Sequence, residues 1–322
     1  MRAVCVIGLG LIGGSVLRAA AAAGRPAWGA TISEEDAAAA EQAGFEVLET
    51  EAALRRAASE DALIVLATPL TAVQGVLRKV AANAPHSWLT DVVSVKDPVD
   101  QEVRKQVPTA HYAGGHPMAG LSDSGFLAGS AELFSGAAWA VTIEERTSLR
   151  AWLESARLAL DCGAHVVPTS AAAHDDAVAR ISHLPHLFAA VLAAVGADGG
   201  PLALSLAAGS FRDGTRVSAS PPELVQAMTE GNKPALLDAL DDALGRLGAA
   251  RGSLASTGGL KSTVDSGHQS RISLEELDAE PRETSTIALG ENALSRLREL
   301  GELGGRVTAL TDEAATIEVP AS

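Results

Sequence analysis

Through the first half of the chain, short runs of β-branched and other apolar residues alternate with alanine-rich segments of helical periodicity. Ala3 to Ile7 reads as a strand, Gly13 to Ala23 as a helix and Ala27 to Ile32 as a second strand, after which Ser33 supplies a hydroxyl cap for a helix beginning at Glu34. The unbroken apolar run Ala62 to Ala67 has the length of a buried strand. Thr71 to Ala82 (helix), Trp88 to Val93 (strand), Pro98 to Gln106 (helix) and Ala138 to Ile143 (strand) continue the alternation. Strands separated by helices build a parallel sheet covered by those helices, so residues 1–146 are expected to form one α/β domain.

Strand-like runs nearly vanish after Thr147, and residues 147–255 are expected to form an all-α domain. Its main helix starts at a Thr169 or Ser170 cap and runs to about Gly196, roughly 40 Å at ~1.5 Å per residue. Pro185 should kink it. Such a helix is more readily covered by a second copy than left in water, which points to a homodimer. Gly252 to Gly267, rich in Ser, Thr and Gly, reads as a linker. Residues 266–322 carry 11 acidic and 5 basic residues in a strand, helix, strand, strand rhythm: Thr284–Leu289, Glu291–Leu303, Arg306–Leu310 and Thr316–Val319. This C-terminal extension is either a small α+β unit or an acidic surface segment that packs on a partner subunit or stays mobile.

Composition narrows the class of partner. The 322 residues are 47% hydrophobic and 20% charged, with a net charge of −15. That balance opposes contact with nucleic-acid phosphates and anionic lipid. Leu184 to Ala197 comes nearest to a membrane span but is short for one, and reads as a buried helix. Two distant cysteines, Cys5 and Cys162, make no disulfide framework, in keeping with a reducing cytoplasm. The apolar start after Arg2 is broken by Gly8, Gly10, Gly13 and Gly14, so it reads as folded protein and not as an address.

Gly8-Leu9-Gly10-Leu11-Ile12-Gly13 follows the first strand and opens a helix, the setting in which this spacing binds a dinucleotide. Gly8 permits the turn, Gly10 lets the backbone approach a pyrophosphate, and Gly13 packs helix on strand. The helix N-terminus offers unpaired N–H groups to the phosphates. A Rossmann-type sheet is therefore expected. The ribose-reading position, about 20 residues past the glycines, falls at Thr31. An acid is missing there, but Glu34, Glu35 and Asp36 follow Ser33 and would repel a 2′-phosphate, so NAD is favoured and NADP stays open. Those acids also suit the positive end of their own helix. Thr68 and Pro69, closing the run Ala62 to Ala67, are placed to line the cofactor cleft.

Three polar clusters carry the candidate chemistry. His116 stands between glycine pairs in Gly114-Gly115-His116-Pro117-Met118-Ala119-Gly120, and an imidazole suits a general base near neutral pH. His183 and His186, three apart in Ser182-His183-Leu184-Pro185-His186, can share a helix face. Metal binding, with His174, Asp175 and Asp176 as extra ligands, is the competing reading, but nothing fixes such a set and none is assigned. Arg212 and Arg216 lie in the glycine-flanked loop Gly209 to Arg216, where a guanidinium fork suits a carboxylate; pairing of Arg212 with Asp213 is the alternative.

With these residues in place, the chain resembles the prephenate and arogenate dehydrogenase family. The resemblance rests on the Gly8 turn, Thr90-Asp91-Val92-Val93-Ser94-Val95-Lys96, the segment around His116, His174-Asp175-Asp176 followed by the His183 and His186 pair, and Phe211 to Arg216. It spans residues 1 to about 250. It implies a dinucleotide-binding domain, a helical dimerisation domain, and oxidative decarboxylation of a cyclohexadienyl carboxylic acid in tyrosine synthesis. By the same resemblance His116 is the base at the ring hydroxyl, Ser94 supports it beside the cofactor, and Arg216 grips a carboxylate. His186, His183 and His174 then form a polar wall for the side chain of the substrate. Val93, Val225 and Thr31 depart from the family pattern, which leaves prephenate, arogenate and 4-amino-4-deoxyprephenate open. Two other readings compete. One is a β-hydroxyacid dehydrogenase, for which neither Lys233 nor Lys261 is well placed. The other is a catalytically silent dinucleotide-binding redox regulator.

Overall fold

The computed structural model describes residues 1–121 and 123–321. In the first half, strand and helix alternate as β1 (Val4–Ile7), α1 (Leu11–Ala22), β2 (Ala27–Ala30), α2 (Glu34–Gln42), β3 (Glu46–Val47), α3 (Thr50–Ser59), β4 (Leu63–Leu66), α4 (Leu70–Asn83), β5 (Trp88–Asp91), α5 (Asp97–Gln106) and β6 (His111–Tyr112). All six strands are parallel, in the order β3-β2-β1-β4-β5-β6. Every residue of β1, β4 and β5 is buried, as a strand sandwiched between helix layers requires. Strand order reverses between β1 and β4, and ligands of such sheets bind outside the carboxyl ends of the strands at that point.

A second sheet begins with β7 (Gly115–Pro117) and β8 (Ala138–Thr142), crosses through α6 (Leu149–Asp161), and continues in β9 (His165–Thr169). Strands β8 and β9 are parallel, from Ala138 opposite His165 to Thr142 opposite Thr169. The α/β alternation therefore extends past the expected boundary at residue 146, and the helical part starts at Ser170. Pro168 obscures β9 in the sequence, because proline is rare inside strands. It is tolerated here because the next strand pairs with β9 at Val166 and not at Pro168.

The helical part comprises α7 (Ala171–Val178), a π-helical turn (Ala179–His183), α8 (Leu184–Asp198), α9 (Gly200–Ser205), α10 (Gly209–Thr215), α11 (Pro222–Gly231), α12 (Lys233–Thr257) and α13 (Lys261–Ala279). The Ser170 side chain accepts from the Ala173 N–H and caps α7. Pro185 brings the wide turn before it, since a proline cannot complete the α-helical bond to the preceding turn. The expected linker at 252–267 is mostly helix: α12 stops at Gly258, at φ +71°, and α13 resumes at Lys261. Ser256 and Thr257 donate back to the carbonyls of Gly252 and Ser253, so their hydroxyls are accommodated on a helix. The buried helix expected at Leu184 to Ala197 is largely uncovered in the single chain, where α8 buries only Ala189. By length and composition Ala171–Asp198 would suffice to cross a membrane, the one such helix among the described residues.

The chain ends in β10 (Arg282–Ala288), α14 (Ala293–Glu302), β11 (Arg306–Leu310) and β12 (Ala314–Pro320). These strands do not form a separate unit. They extend the second sheet to β10-β12-β11-β9-β8-β7, and Ile287, Leu297, Leu300, Val307, Ala315 and Ile317 join the core that holds Trp139, Trp152 and Val166.

Candidate active site

At the switch point the backbone leaves β1 through Gly8, whose φ of +100° excludes most side chains. A Cβ there would lie 2.4 Å from the Ala67 carbonyl oxygen, and one at Gly13 would lie 1.9 Å from that of Gly8. The turn is therefore clamped between β1, β4 and α1. A Cβ at Gly10 would meet nothing within 4 Å, so Gly10 faces open space at the start of α1. No side chain caps that helix, and its first N–H groups stay available to an anion. The Thr68 hydroxyl, beside Gly8, is buried without a partner. Open space, free N–H groups and an orphaned hydroxyl fit a bound dinucleotide, held by the segment Gly8, Leu9, Gly10, Leu11, Ile12 and Gly13. Thr31 follows β2, where its Oγ1 accepts from the Ser33 N–H at 3.3 Å, and Ser33 caps α2 through the Asp36 N–H. Asp36 accepts from the Phe126 N–H at 2.7 Å, so its carboxylate anchors the 126–128 turn against α1. Pro69 opens α4.

The glycine pair before His116 has a steric cause. A Cβ at Gly115 would stand 2.7 Å from the Asp91 carbonyl, and one at Gly114 would stand 2.8 Å from the Tyr112 hydroxyl. Only glycines let β7 pass this close to the carboxyl end of β5. Lys96, 1% exposed, donates to the Asp91 carboxylate and to the Gly115 carbonyl. Asp91 also accepts from the Tyr112 hydroxyl at 2.7 Å and the Val93 N–H at 2.9 Å. Burial pulls the Lys96 ammonium below the ordinary lysine range, against the attraction of Asp91. This ion pair pins the strand that carries His116 onto β5.

His116 is 9% exposed and its Nδ1 lies 2.8 Å from His174 Nε2. His174 Nδ1 lies 2.8 Å from Asp175 Oδ1. Asp175 also accepts from the Lys96 N–H at 2.8 Å and the Asp97 N–H at 2.9 Å, which caps α5. Burial, then the charges of His174, Lys96 and His183, holds His116 well below the usual histidine value. Burial likewise lowers His174, partly offset by its bond to Asp175. Burial would raise Asp175, but its bonds from His174 and two backbone N–H groups leave it below the ordinary carboxylate range. A buried imidazole held below the usual histidine value, on a strand packed against the carboxyl end of β5, can accept a proton.

Several expected neighbours sit elsewhere. His183 and His186 differ in burial and in partner. His183, 1% exposed at the end of the π-helical turn, has Asn232 Nδ2 3.1 Å from its Nδ1, and burial pushes it down to about 4. His186 is half-buried and pairs through Nδ1 with the Ser182 carbonyl. His174 is 4% exposed and meets His116 directly. Ser94 is half-buried after β5, with no hydrogen bond from its hydroxyl among the described residues. The segment expected as a glycine-flanked loop is the helix α10, docked on α8 with the Phe211 ring over Gly196. That docking leaves Arg212 and Arg216 exposed, and neither forms an ion pair among the described residues. Lys96, Asp91, Asp175 and Asn232 are the site residues that sequence reasoning missed. Asp91 and Lys96 flank Ser94 in a segment where the hydroxyl is the conspicuous group, and Asp175 reads in sequence only as a possible metal ligand.

Comparison with known proteins follows the same division of the chain. A family model described as the prephenate dehydrogenase nucleotide-binding domain matches residues 17–168, and one described as the prephenate dehydrogenase dimerization domain matches 170–257. The chain belongs to the prephenate dehydrogenase family. Both models together leave out the glycine turn and the C-terminal strands, and they meet where β9 gives way to α7. Among relatives of this family, prephenate dehydrogenase of Bacillus subtilis is 34% identical over 74% of this chain, which spans 66% of that protein's length, just under two thirds. Cyclohexadienyl dehydrogenase of Zymomonas mobilis is 33% identical over 80% of this chain and 89% of its own. A solved Corynebacterium glutamicum chain, described as a candidate prephenate dehydrogenase, is 45% identical with a TM-score of 0.81, covering 85% of this chain and 89% of its own.

Proposed function

We propose that this chain catalyses the NAD-dependent oxidative decarboxylation of prephenate to 4-hydroxyphenylpyruvate, the committed oxidation of tyrosine synthesis, as a cytoplasmic homodimer. The observation that carries the reading is His116, a buried imidazole with one ring nitrogen bonded inside the chain, on a strand packed against the carboxyl end of β5 in the sheet that bears the glycine turn. Family membership and a relative acting under the name cyclohexadienyl dehydrogenase supply the substrate class.

The free nitrogen of His116 accepts the proton of the ring 4-hydroxyl as that carbon is oxidised. A bound nicotinamide supplies the hydride acceptor for that carbon. The ring ketone so formed is conjugated to the carbon bearing the carboxylate, carbon dioxide leaves, and the ring becomes aromatic. His116 then returns its proton to the phenolate oxygen. Prephenate dianion and NAD⁺ thus give the 4-hydroxyphenylpyruvate anion, carbon dioxide and NADH with no net proton. Aromatisation drives the reaction, so the protein has mainly to orient the base and hold the carboxylates. Ser94 is the hydroxyl next to this centre and Arg216 the carboxylate ligand. Glu34 and Glu35, beyond Thr31, favour NAD over NADP through repulsion of a 2′-phosphate.

A homodimer is supported by the match to the dimerization-domain model and by the apolar side chains left uncovered on α8 and α9, among them Val195 and Leu202, 63% and 71% exposed. Buried free Cys5 and Cys162 suit a reducing compartment. The test is the steady-state rate with prephenate, arogenate and 4-amino-4-deoxyprephenate, each with NAD and NADP, read as absorbance of the reduced nicotinamide. Prephenate with NAD should give the highest kcat/KM. A faster reaction with arogenate would reassign the side-chain specificity, and no turnover with any pair would overturn the proposal.

A further inference from the structure

We infer that His174 and Asp175 form a positioning pair that sets the tautomer of His116, placing its proton on Nδ1 and turning its Nε2 lone pair toward the substrate hydroxyl. This rests on the reading of His116 as the base. The argument is one of donors and acceptors. Asp175 is an acceptor only, and its carboxylate is held in place by the N–H groups of Lys96 and Asp97 at the start of α5. His174 Nδ1, 2.8 Å from Asp175 Oδ1, must therefore donate. A neutral ring has one N–H, so His174 Nε2 is an acceptor. His116 Nδ1, 2.8 Å from it, must donate in turn, which leaves Nε2 as the only lone pair of that ring. Any other arrangement of one proton per ring sets two lone pairs or two N–H groups against each other at one of these contacts.

The surroundings keep the order in force. The groups facing the two rings are Asp175 from α7, Lys96 with Asp91 from the end of β5, Tyr112 behind Asp91, and His183 from the π-helical turn. Asn232 donates to the Asp175 carbonyl at 2.7 Å and so ties α12 to the pair. A proton on His174 Nε2 would force His116 Nδ1 to accept and would move the His116 proton onto the edge that faces substrate. Burial at 4% exposure opposes that charge. Because Nδ1–H of His116 is bonded to a neutral acceptor, the positive ring formed when Nε2 takes the substrate proton is stabilised without any other group changing protonation.

Two conservative variants separate this role from a structural one. His174→Asn presents a group where Nδ1 was and retains the contact to Asp175, but withdraws from His116. His174→Gln reaches the place of Nε2, where its carbonyl accepts from His116 Nδ1–H. The expected result is a fall in kcat of about 10²-fold for His174→Asn, with KM and NAD affinity nearly unchanged, and a kcat within about 10-fold of the parent for His174→Gln. Equal losses in both variants, or a loss that appears in KM and thermal stability instead of kcat, would overturn the inference. Nitrogen-15 shifts of the ring nitrogens in the unmodified chain give a readout independent of folding of the variants and of turnover. Nδ1–H on both His116 and His174 is expected, and an Nε2–H His116 would overturn the assignment. A chain inactive with every ring acid yet showing this tautomer would instead remove the proposed function and leave the pairing intact.

Discussion

Residues 1–169 and the helices from 170 to 279 solve the burial problem in different ways. In the first region β1, β4 and β5 are closed off completely, and two long polar side chains drawn into the interior are partnered there, Lys96 by Asp91 and Gly115, and His116 by His174 of α7. In the second region α8 buries one residue and α12 three, while Leu192, Val195, Leu202, Leu237, Leu244 and Leu254 stay exposed. Uncovered apolar area on this scale is a surface for association. The comparison teaches that the contacts ordering His116 are made within one chain, between the sheet region and α7, whereas much apolar surface on α8, α9 and α12 is left uncovered. Base chemistry should follow the fold of the monomer, and substrate capture should follow assembly.

Removing the proposed base tests the sheet region most severely. His116→Asn should lower kcat by ~10² to 10⁴-fold while NAD affinity, measured by fluorescence titration, stays within a few-fold. A variant with near-normal kcat would place the base elsewhere. Gly10→Val sharpens the same half: with open space around Gly10 the melting temperature should hold, but the side chain enters the cofactor cradle and NAD affinity should drop at least ~10-fold. A drop in melting temperature with unchanged affinity would mean the cradle is not used.

On the other side, Arg216→Ala should raise the KM for prephenate by roughly 10- to 100-fold at little cost in kcat, the size of a lost charge-assisted hydrogen bond of about 1.5–3 kcal/mol. An effect confined to kcat would contradict carboxylate binding. Val195→Asp, on α8 and 63% exposed, should shift the chain toward monomer in sedimentation and raise KM more than it lowers kcat. A dimer of unchanged stability would break the contrast between the two halves.

The smallest effect concerns acid. His183 sits at about 4, and burial also holds His116 and His174 below the unfolded value near ~6.5. The unfolded chain then binds more protons as pH falls, so stability present above about pH 6.5 is lost progressively toward pH 4. The melting temperature should decline from pH 7.5 to 5, and less steeply in His183→Asn, whose amide can still meet Asn232. A profile that is flat or rises toward pH 5 would argue against neutral burial of these rings.

Legibility followed distance along the chain. The glycine turn, the caps at Ser33 and Ser170, and most strands could be read because each depends on neighbours a few residues away. Strand β9 was lost to Pro168, since only the geometry of its pairing shows that the missing N–H goes unneeded. The 252–267 helices were lost because Ser and Thr read as linker residues until their hydroxyls are seen bonding back to the helix. The partner of His183, Asn232, lies 49 positions along the chain, beyond any spacing argument on one helix.

By itself the sequence determined where the chain turns, which runs are apolar enough to be strands, and which residue types could hold a dinucleotide or move a proton. These are properties of short segments, set by backbone sterics and hydrophobic period. Only the tertiary structure decided that His174 backs His116, that Asp175 both caps α5 and orders two imidazoles, and that the C-terminal strands finish a sheet begun at Gly115. Those contacts join residues 58 and 79 positions apart, or bring a strand to β9 from the far end of the chain. A donor finds its acceptor through packing, and no local pattern encodes which of several histidines will lie within hydrogen-bond reach.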